Sequence, residues 1–544
     1  METLIPDATL HRPMRTPLLL YALAFVVRVV LIWHFPDPAY PDSFYYVDVA
    51  RSLAAGNGLN VDFVWIFAEV GGVLPADPVL PIASNAHWMP LASLVQVPFL
   101  AIFGNVSWAS ALPFALVGST AAPLAWAIAR DAGARRSIAI GAGILTAIPV
   151  LSVVYMVQPD NFSLYQPLVV AALWMGARGL KGSARSFVLA GLLAGLATLS
   201  RNDGLLVLAA LGFAFAWDRW RAWRSRGSRL PAIPFAAALA CVAVFALVMA
   251  PWWLRQLAVF GSLSPSTASG KVLFIRDIGE WNSITTPATL DHLLEQGLGP
   301  LLASRVGGLI AALMIYVTLV AGFVLAPLMI IGGWARRRSL DFGPFFVFAG
   351  LLFAFSTIVS AVHVPGGTFI HSAVALAPHS YILALEGIAV AVGWVAARRR
   401  TWDAVKATRL FTGATLTFAV VAAVFGSLFV HQVWANSRTD FQRVAAALNE
   451  AGAASTDRVM SIDASGTRFW TGRAGVVLVN DPLETIQDVI RAYDIRWLVL
   501  DRGDSVTAVA PILDGEAAPS WLGQPVLSEG QPTRLAVYPV EVVP

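Results

Sequence analysis

Trp88-Met89-Pro90-Leu91-Ala92-Ser93-Leu94-Val95-Gln96-Val97-Pro98-Phe99-Leu100-Ala101-Ile102-Phe103-Gly104 is the stretch on which the topology turns. It is apolar enough to enter a bilayer, but it is short and interrupted by Pro90 and Pro98, whereas a spanning helix needs roughly 20 apolar residues. If it crossed, every later loop would change sides. Longer apolar runs lie near residues 17–35, 107–129, 137–157, 161–178, 185–200, 203–218, 233–257, 303–332, 343–362, 374–396 and 408–431, which predicts about eleven membrane helices because backbone polar groups in lipid must be satisfied within a helix.

The basic residues decide between the two topologies, because short cytoplasmic loops are enriched in Lys and Arg. With 88–104 held at the interface, alternate loops collect Arg12 and Arg15; Arg130, Arg135 and Arg136; Arg178, Lys181 and Arg185; Arg219, Arg221, Arg224, Arg226 and Arg229; Arg336, Arg337 and Arg338; and Arg398, Arg399, Arg400, Lys406 and Arg409. That is more than half of the 37 Lys and Arg, and the intervening short loops hold almost none beyond Arg201. The pattern predicts an interfacial or re-entrant 88–104, a cytoplasmic amino terminus and an extracytoplasmic carboxyl terminus. The first run follows His11, Arg12 and Arg15, but it is long for a signal peptide and no small-x-small cleavage pattern follows it, so it reads as a span.

Composition agrees: 57% of the 544 residues are hydrophobic and 13% charged, against about a quarter charged in soluble domains. A soluble globular protein is excluded. The net charge of +4 points to no nucleic acid, and a lone Cys241, set in an apolar run, excludes a disulfide framework or a Cys-rich metal site. Two long outer loops follow from the topology, about 36–106 and 258–302, and so does an outer tail from about 432 to 544. In the tail, Phe441 to Leu448 and Leu483 to Ala492 are helical in period, while Arg458 to Ile462, Gly475 to Val479 and Ile495 to Leu500 are strand-like. The fold expected is thus an all-α polytopic membrane unit over 1–431, with interfacial helices, and a small α/β domain over 432–544.

The outer segments carry the chemistry. From Phe44 to Leu53 apolar residues recur at helical spacing, which predicts a surface helix with Asp42 before its first turn. Asp160, in Gln158-Pro159-Asp160-Asn161, sits in the short turn between the third and fourth spans and so shares a membrane face with Asp42. Each could be only a helix cap; together, flanked by aromatic residues, they also suit an acid/base pair at the lipid boundary. His87, Arg201, His363, His371 and the Gly366-Gly367 amides gather on the same side, where they could hold a phosphate. Their spacing is not diagnostic of a metal. Tyr45, Tyr46, Asp48 and Arg51 on the surface helix are further polar candidates, Asp62, Glu69 and Asp77 read as solvated surface, and Arg28 and Glu386 lie inside spans, where ionisable groups are functional suspects.

These residues resemble the GT-C membrane glycosyltransferases that use polyprenyl-phosphate sugars, nearest the bacterial lipid A aminoarabinose transferases and the protein O-mannosyltransferases. Four features carry the resemblance: the Asp42 to Gly56 helix ending Leu-Ala-Ala-Gly, His-Trp-Met-Pro-Leu at 87–91, the Gln-Pro-Asp-Asn turn, and Gly-Leu-Ala-Thr-Leu-Ser-Arg-Asn-Asp-Gly at 195–204. It covers about 17–260 closely and the rest through topology. The chain departs from the pattern at Ser43, where many relatives have Glu, at Tyr45, where they have a basic residue, and at His87, where they have Lys.

The resemblance implies a bacterial plasma-membrane enzyme that moves a hexosyl or pentosyl group, with inversion, from a polyprenyl phosphate to a hydroxyl of a lipid, glycan or protein. Asp42 would be the base, Asp160 its partner, and His87, Arg201, His363, His371 and the Gly366-Gly367 turn the phosphate site. No cofactor is implied, and a divalent metal has no support in the sequence. Besides donor and acceptor, the expected partners are membrane lipids. The competing readings are a lipid or small-molecule flippase, which calls for inverted repeats not visible here, and a non-catalytic assembly subunit.

Overall fold

A computed structural model describes residues 14–226, 228, 230–263, 272–359, 367–399, 401–502, 507–516 and 518–541. Six of the described helices are long and apolar enough to cross a bilayer: Arg15–His34, Ser107–Asp131, Phe235–Phe260, Leu298–Val320, Phe369–Ala396 and Ala404–Glu450. Shorter apolar helices include Arg136–Ala147, Ala184–Ser200 and Gly343–Val359. Phe162–Leu180 and Leu205–Arg224 complete the bundle.

The pivotal 88–104 segment folds as two short helices, Leu91–Leu94 and Val97–Phe103. Together they are too short to span. They pack on the helix Pro41–Ala54: Ser93 Oγ donates to the Tyr46 carbonyl at 3.1 Å, and buried Gln96 donates to the Tyr46 and Ala92 carbonyls. The surface helix is therefore held from below by side-chain bonds to its own backbone.

Several predicted spans differ in detail. The run 303–332 is broken into Leu298–Ile315, a π turn at Tyr316–Val320, and Leu325–Arg336, with Gly322 and Phe323 at positive φ in between. The third span ends early at Ala147, and a 3-10 helix at Ser152–Val157 leads into the Asp160 turn. The last span and the expected separate helix Phe441 to Leu448 are one helix, Ala404–Glu450, which runs from the membrane into the tail.

Close packing rests on small residues. A Cβ on Gly191 would strike the carbonyl oxygen of Cys241 on the facing helix, and one on Gly332 would strike that of Leu383. Cys241 is buried, as its apolar setting suggested. The two intramembrane charges are accounted for differently. Glu386 accepts both Nε and Nη2 of Arg336, at 2.7 and 2.5 Å, whereas Arg28 is 1% exposed and donates to the Ala24 carbonyl, with Nε and Nη2 left without hydrogen-bond partners. Arg28 does not snorkel.

In the tail, Arg458–Ser461, Gly475–Val477 and Ile495–Asp501 form a parallel core, extended by antiparallel Leu535–Pro539 and Leu527–Glu529. The sixth strand comes from elsewhere. Phe63–Val64, in the first long loop, pairs in parallel with Gly475–Val477 at the sheet edge. One apolar core joins Tyr45, Phe63 and Trp65 of the loop to Met460, Val476 and Leu498 of the tail. Loop and tail bury one another.

Gly191→Ala should destabilise the protein by about 1–3 kcal/mol, because the clash is with backbone that no rotamer change can relieve. Gly212→Ala, which meets no atom within 4 Å, serves as the control. Thermal unfolding of the two variants in the same detergent checks this.

Candidate active site

Asp42 is the second residue of the helix Pro41–Ala54, but it is not the cap. The N-cap is Tyr40, and Ser43 at N3 closes a capping box with it, its Oγ accepting from the backbone N–H groups of Ala39 and Tyr40. The Asp42 carboxylate is thereby released to face the bundle, where Oδ1 accepts the Trp88 indole N–H at 3.0 Å. Trp88 is fixed in turn by stacking on Tyr45, with centroids 4.1 Å apart.

Asp160 is fully buried in the turn that precedes Phe162–Leu180. Its Oδ1 accepts from the Asn161 backbone N–H at 2.5 Å and its Oδ2 from the Tyr40 hydroxyl at 2.9 Å. Both oxygens are engaged. Asn161, the next residue, donates from its side chain to the Tyr46 hydroxyl at 3.3 Å.

His371, on the short helix Gly367–Ala373, stands between the two carboxylates. Its Nε2 lies 3.6 Å from Asp42 Oδ2 and its Nδ1 3.6 Å from Asp160 Oδ2. The ring is clamped on Phe162, stacked at 4.6 Å. Arg201 closes the far side, with Nε at 3.1 Å from both Asp203 Oδ1 and Ser372 Oγ, and Ser372 also bonds to Asp203. The residue after His371 is thus pinned to the turn that carries Arg201.

Burial raises the carboxyl of Asp42, opposed by the Trp88 bond and by the charge of Arg201. Burial also raises Asp160, and the adjacent Asp42 charge adds to it. The two differ in access: the Asp42 side chain is 26% exposed and that of Asp160 not at all. A substrate hydroxyl can reach Asp42. His87 is pushed down to about 4 by burial and by Arg201. It is neutral at physiological pH and cannot replace a lysine as a cation, so any phosphate contact it makes is that of a neutral imidazole.

The sequence candidates thus divide. Asp42, Asp160, His371 and Arg201 converge, with Tyr46 and His87 beside them. Tyr45 serves as a support for Trp88, and Asp48 and Arg51 line a different cavity. His363 and Gly366 lie outside the described residues, and Gly367 opens the helix that carries His371. Glu69, expected to be solvated surface, is 7% exposed, accepts the Tyr45 hydroxyl at 3.0 Å, and is pushed up to about 8 by burial. Asp62 pairs with Arg468 at 2.7 Å, and Asp77 is exposed. Tyr40 and Trp88, which hold the two carboxylates, are not expected in those roles, because each lies far along the chain from the Asp it binds.

One ligand atom from each of Asp42, Asp160 and His371 lies within 4.8 Å of the others. Two carboxylates and an imidazole with a buried, unpartnered Nδ1 suit a divalent cation of the Mg, Mn or Zn kind. No such site is visible in the sequence, because its three members lie on three connections far apart along the chain.

Comparisons place this geometry among known folds. Residues 87–252 match the family described as Dolichyl-phosphate-mannose-protein mannosyltransferase. No curated protein matches the chain. Among solved structures, the chain is similar to ArnT from Cupriavidus metallidurans bound to undecaprenyl phosphate, with 15% identity, TM-score 0.56, and coverage of 96% of this chain and 97% of that one. It is also similar to the Archaeoglobus fulgidus oligosaccharyltransferase in the apo form, with 14% identity, TM-score 0.56, and coverage of 89% of this chain and 69% of that one. The same enzyme in complex with Zn and sulfate gives 16% identity and TM-score 0.54, covering 89% of this chain and 68% of that one. The chain shares its fold with these proteins.

Two outcomes are expected. Mn²⁺ should bind the wild-type protein, and His371→Ala should weaken it by about tenfold or more, since a lost donor costs at least as much as a lost supporting bond; calorimetric titration measures it. For Glu69, the folded chain holds its proton up to about 8 while the unfolded chain releases it near the ordinary glutamate value. Stability should therefore fall as pH rises through that window, and Glu69→Gln should flatten the profile of melting temperature against pH.

Proposed function

We propose that the chain is a membrane glycosyltransferase that moves a sugar from a polyprenyl phosphate to an acceptor hydroxyl on the extracytoplasmic face, inverting the anomeric carbon. The observation that carries the reading is the convergence of Asp42, Asp160, His371 and Arg201 where the surface helix meets the ends of the membrane helices. It rests also on the similarity to ArnT, a protein solved with undecaprenyl phosphate.

Phosphate is a good leaving group, so the chemistry needs a base for the acceptor and charge stabilisation for the donor. Asp42 is the base: its Oδ2 faces the open side, and Trp88 fixes Oδ1 so that the carboxylate cannot swing away. Asp160 is too enclosed to meet the acceptor. It flanks His371, and the charge of Asp42 raises its carboxyl. Arg201 supplies the fixed positive charge for the departing phosphate, and His87 offers a neutral imidazole to it. Asp42, Asp160 and His371 would hold a divalent cation, which supplies Lewis-acid stabilisation of phosphate charge.

The orientation in this reading has a cytoplasmic amino terminus and an extracytoplasmic tail over about 432–544 that roofs the site. The acceptor is a lipid, glycan or protein hydroxyl, and the transferred group a hexose or pentose.

Asp42→Asn should lower release of polyprenyl phosphate from a panel of polyprenyl-phosphate sugars by about 10³-fold, in the range of a lost general base, with expression unchanged. Turnover retained in that variant would remove Asp42 from the role. Trp88→Phe keeps the ring and deletes the indole N–H. Because that bond lowers the Asp42 carboxyl, its loss should raise it, so the acid limb of the rate profile should move to higher pH.

A further inference from the structure

A second polar cavity, of about 590 Å³, lies between the surface helix and the tail helix Ala464–Thr471. One stripe of the surface helix forms its floor: Asp48, Arg51, Ser52 and Ala55, at the i, i+3, i+4, i+7 spacing of a single face. Arg468 and Phe469 of the tail helix close one side, and Asn57, Asn60 and Asn105 stand around it. It is not the Asp42 site. Asp48 is about 9 Å further along the helix axis than Asp42 and on another face, and the helix itself stands between them.

The wall chemistry is specific. Asp48 and Asp62 balance Arg51 and Arg468, so the cavity carries no net charge to select a polyanion or a cation. Asp62 and Arg468 are already paired at 2.7 Å. Asp48 and Arg51, one turn apart, make no hydrogen bond to each other or to any other described residue. Arg51 instead lies over the Phe469 ring at 4.6 Å, and its buried Nε has no partner. The enclosure is enough for burial to push the Asp48 carboxyl up to about 6 in spite of Arg468, with Asp62 adding to the rise.

Buried donors in native proteins are rarely left unused. An acceptor and a donor, held side by side but unbonded, are matched by neighbouring hydroxyls, each of which both gives and accepts a hydrogen bond. Asn57 and Asn105 extend the same bifunctional chemistry around the walls, while Ser52 and Asn60 donate to the carbonyls of Gly58 and Asn57. A bound peptide would call for apolar pockets for alternate side chains, and the apolar members of this wall, Val61, Pro81, Ala55 and Phe469, form none.

We propose that this cavity is a saccharide-binding site, in which Asp48 and Arg51 hold vicinal hydroxyls of a neutral sugar unit and Arg468, Asn57 and Asn105 contact its rim. Its volume is within the range of small-molecule pockets. It stands whether or not Asp42 acts as a base, because it concerns binding at a separate face.

The test is saturation-transfer NMR on the full chain in lipid nanodiscs, with neutral gluco-, manno- and arabino-oligosaccharides of two to four units, inorganic phosphate and an uncharged heptapeptide as probes. At least one oligosaccharide should bind saturably, with affinity lowered tenfold or more in both Asp48→Ala and Arg51→Gln and unchanged in Asp42→Asn. If Arg51→Gln loosens the protein, Asn57→Leu on the exposed rim reads the same site and should give the same loss. Absence of binding by every oligosaccharide, binding that survives these variants, or stronger binding of phosphate or peptide at these residues overturns the proposal.

Discussion

Two carboxylates brought to one imidazole at the edge of a bilayer repel each other, and neither can be left to low dielectric without compensation. Much of the structure around them answers that constraint. Tyr40 and the Asn161 backbone bind Asp160, Trp88 binds Asp42, and Arg201 spreads its charge over both. Each of these partners needs its own support. Trp88 leans on Tyr45, Tyr45 on Glu69, and Arg201 on Asp203 and Ser372. The surface helix that carries Asp42 is then trapped between the short helices beneath it and the sheet above it.

Much of this was legible in the sequence, for physical reasons. Apolar runs, arginine-rich loops and the two prolines of 88–104 report on solvent and on backbone hydrogen bonding, which are local properties. Asp42, Asp160, Arg201 and His371 could be gathered because topology alone put their short connections at one membrane face. What escaped were contacts across long sequence separations. Nothing near Glu386 names Arg336, and nothing near Asp160 names Tyr40 as its donor. The two-residue strand Phe63–Val64 is too short to show a period, so its place in the tail sheet was invisible. The break at Gly322 and Phe323 sits in unbroken apolar text, where no change of polarity marks it.

The structural comparisons extend over nearly the whole chain at about 15% identity. What so divergent chains share is the fold. His87, where the resemblance leads one to expect a lysine, is buried and neutral.

The 47-residue helix Ala404–Glu450 adds a mechanical consequence. At the helical rise it is a rod about 70 Å long, rooted in the bilayer and ending against the tail sheet. Each degree by which its root leans carries its far end by about 1.2 Å, the arc that a 70 Å rod sweeps. Membrane helices adjust their lean to bilayer thickness. The height of the tail above the Asp42 site and the Asp48 cavity is therefore coupled to the thickness of the lipid in which the protein sits.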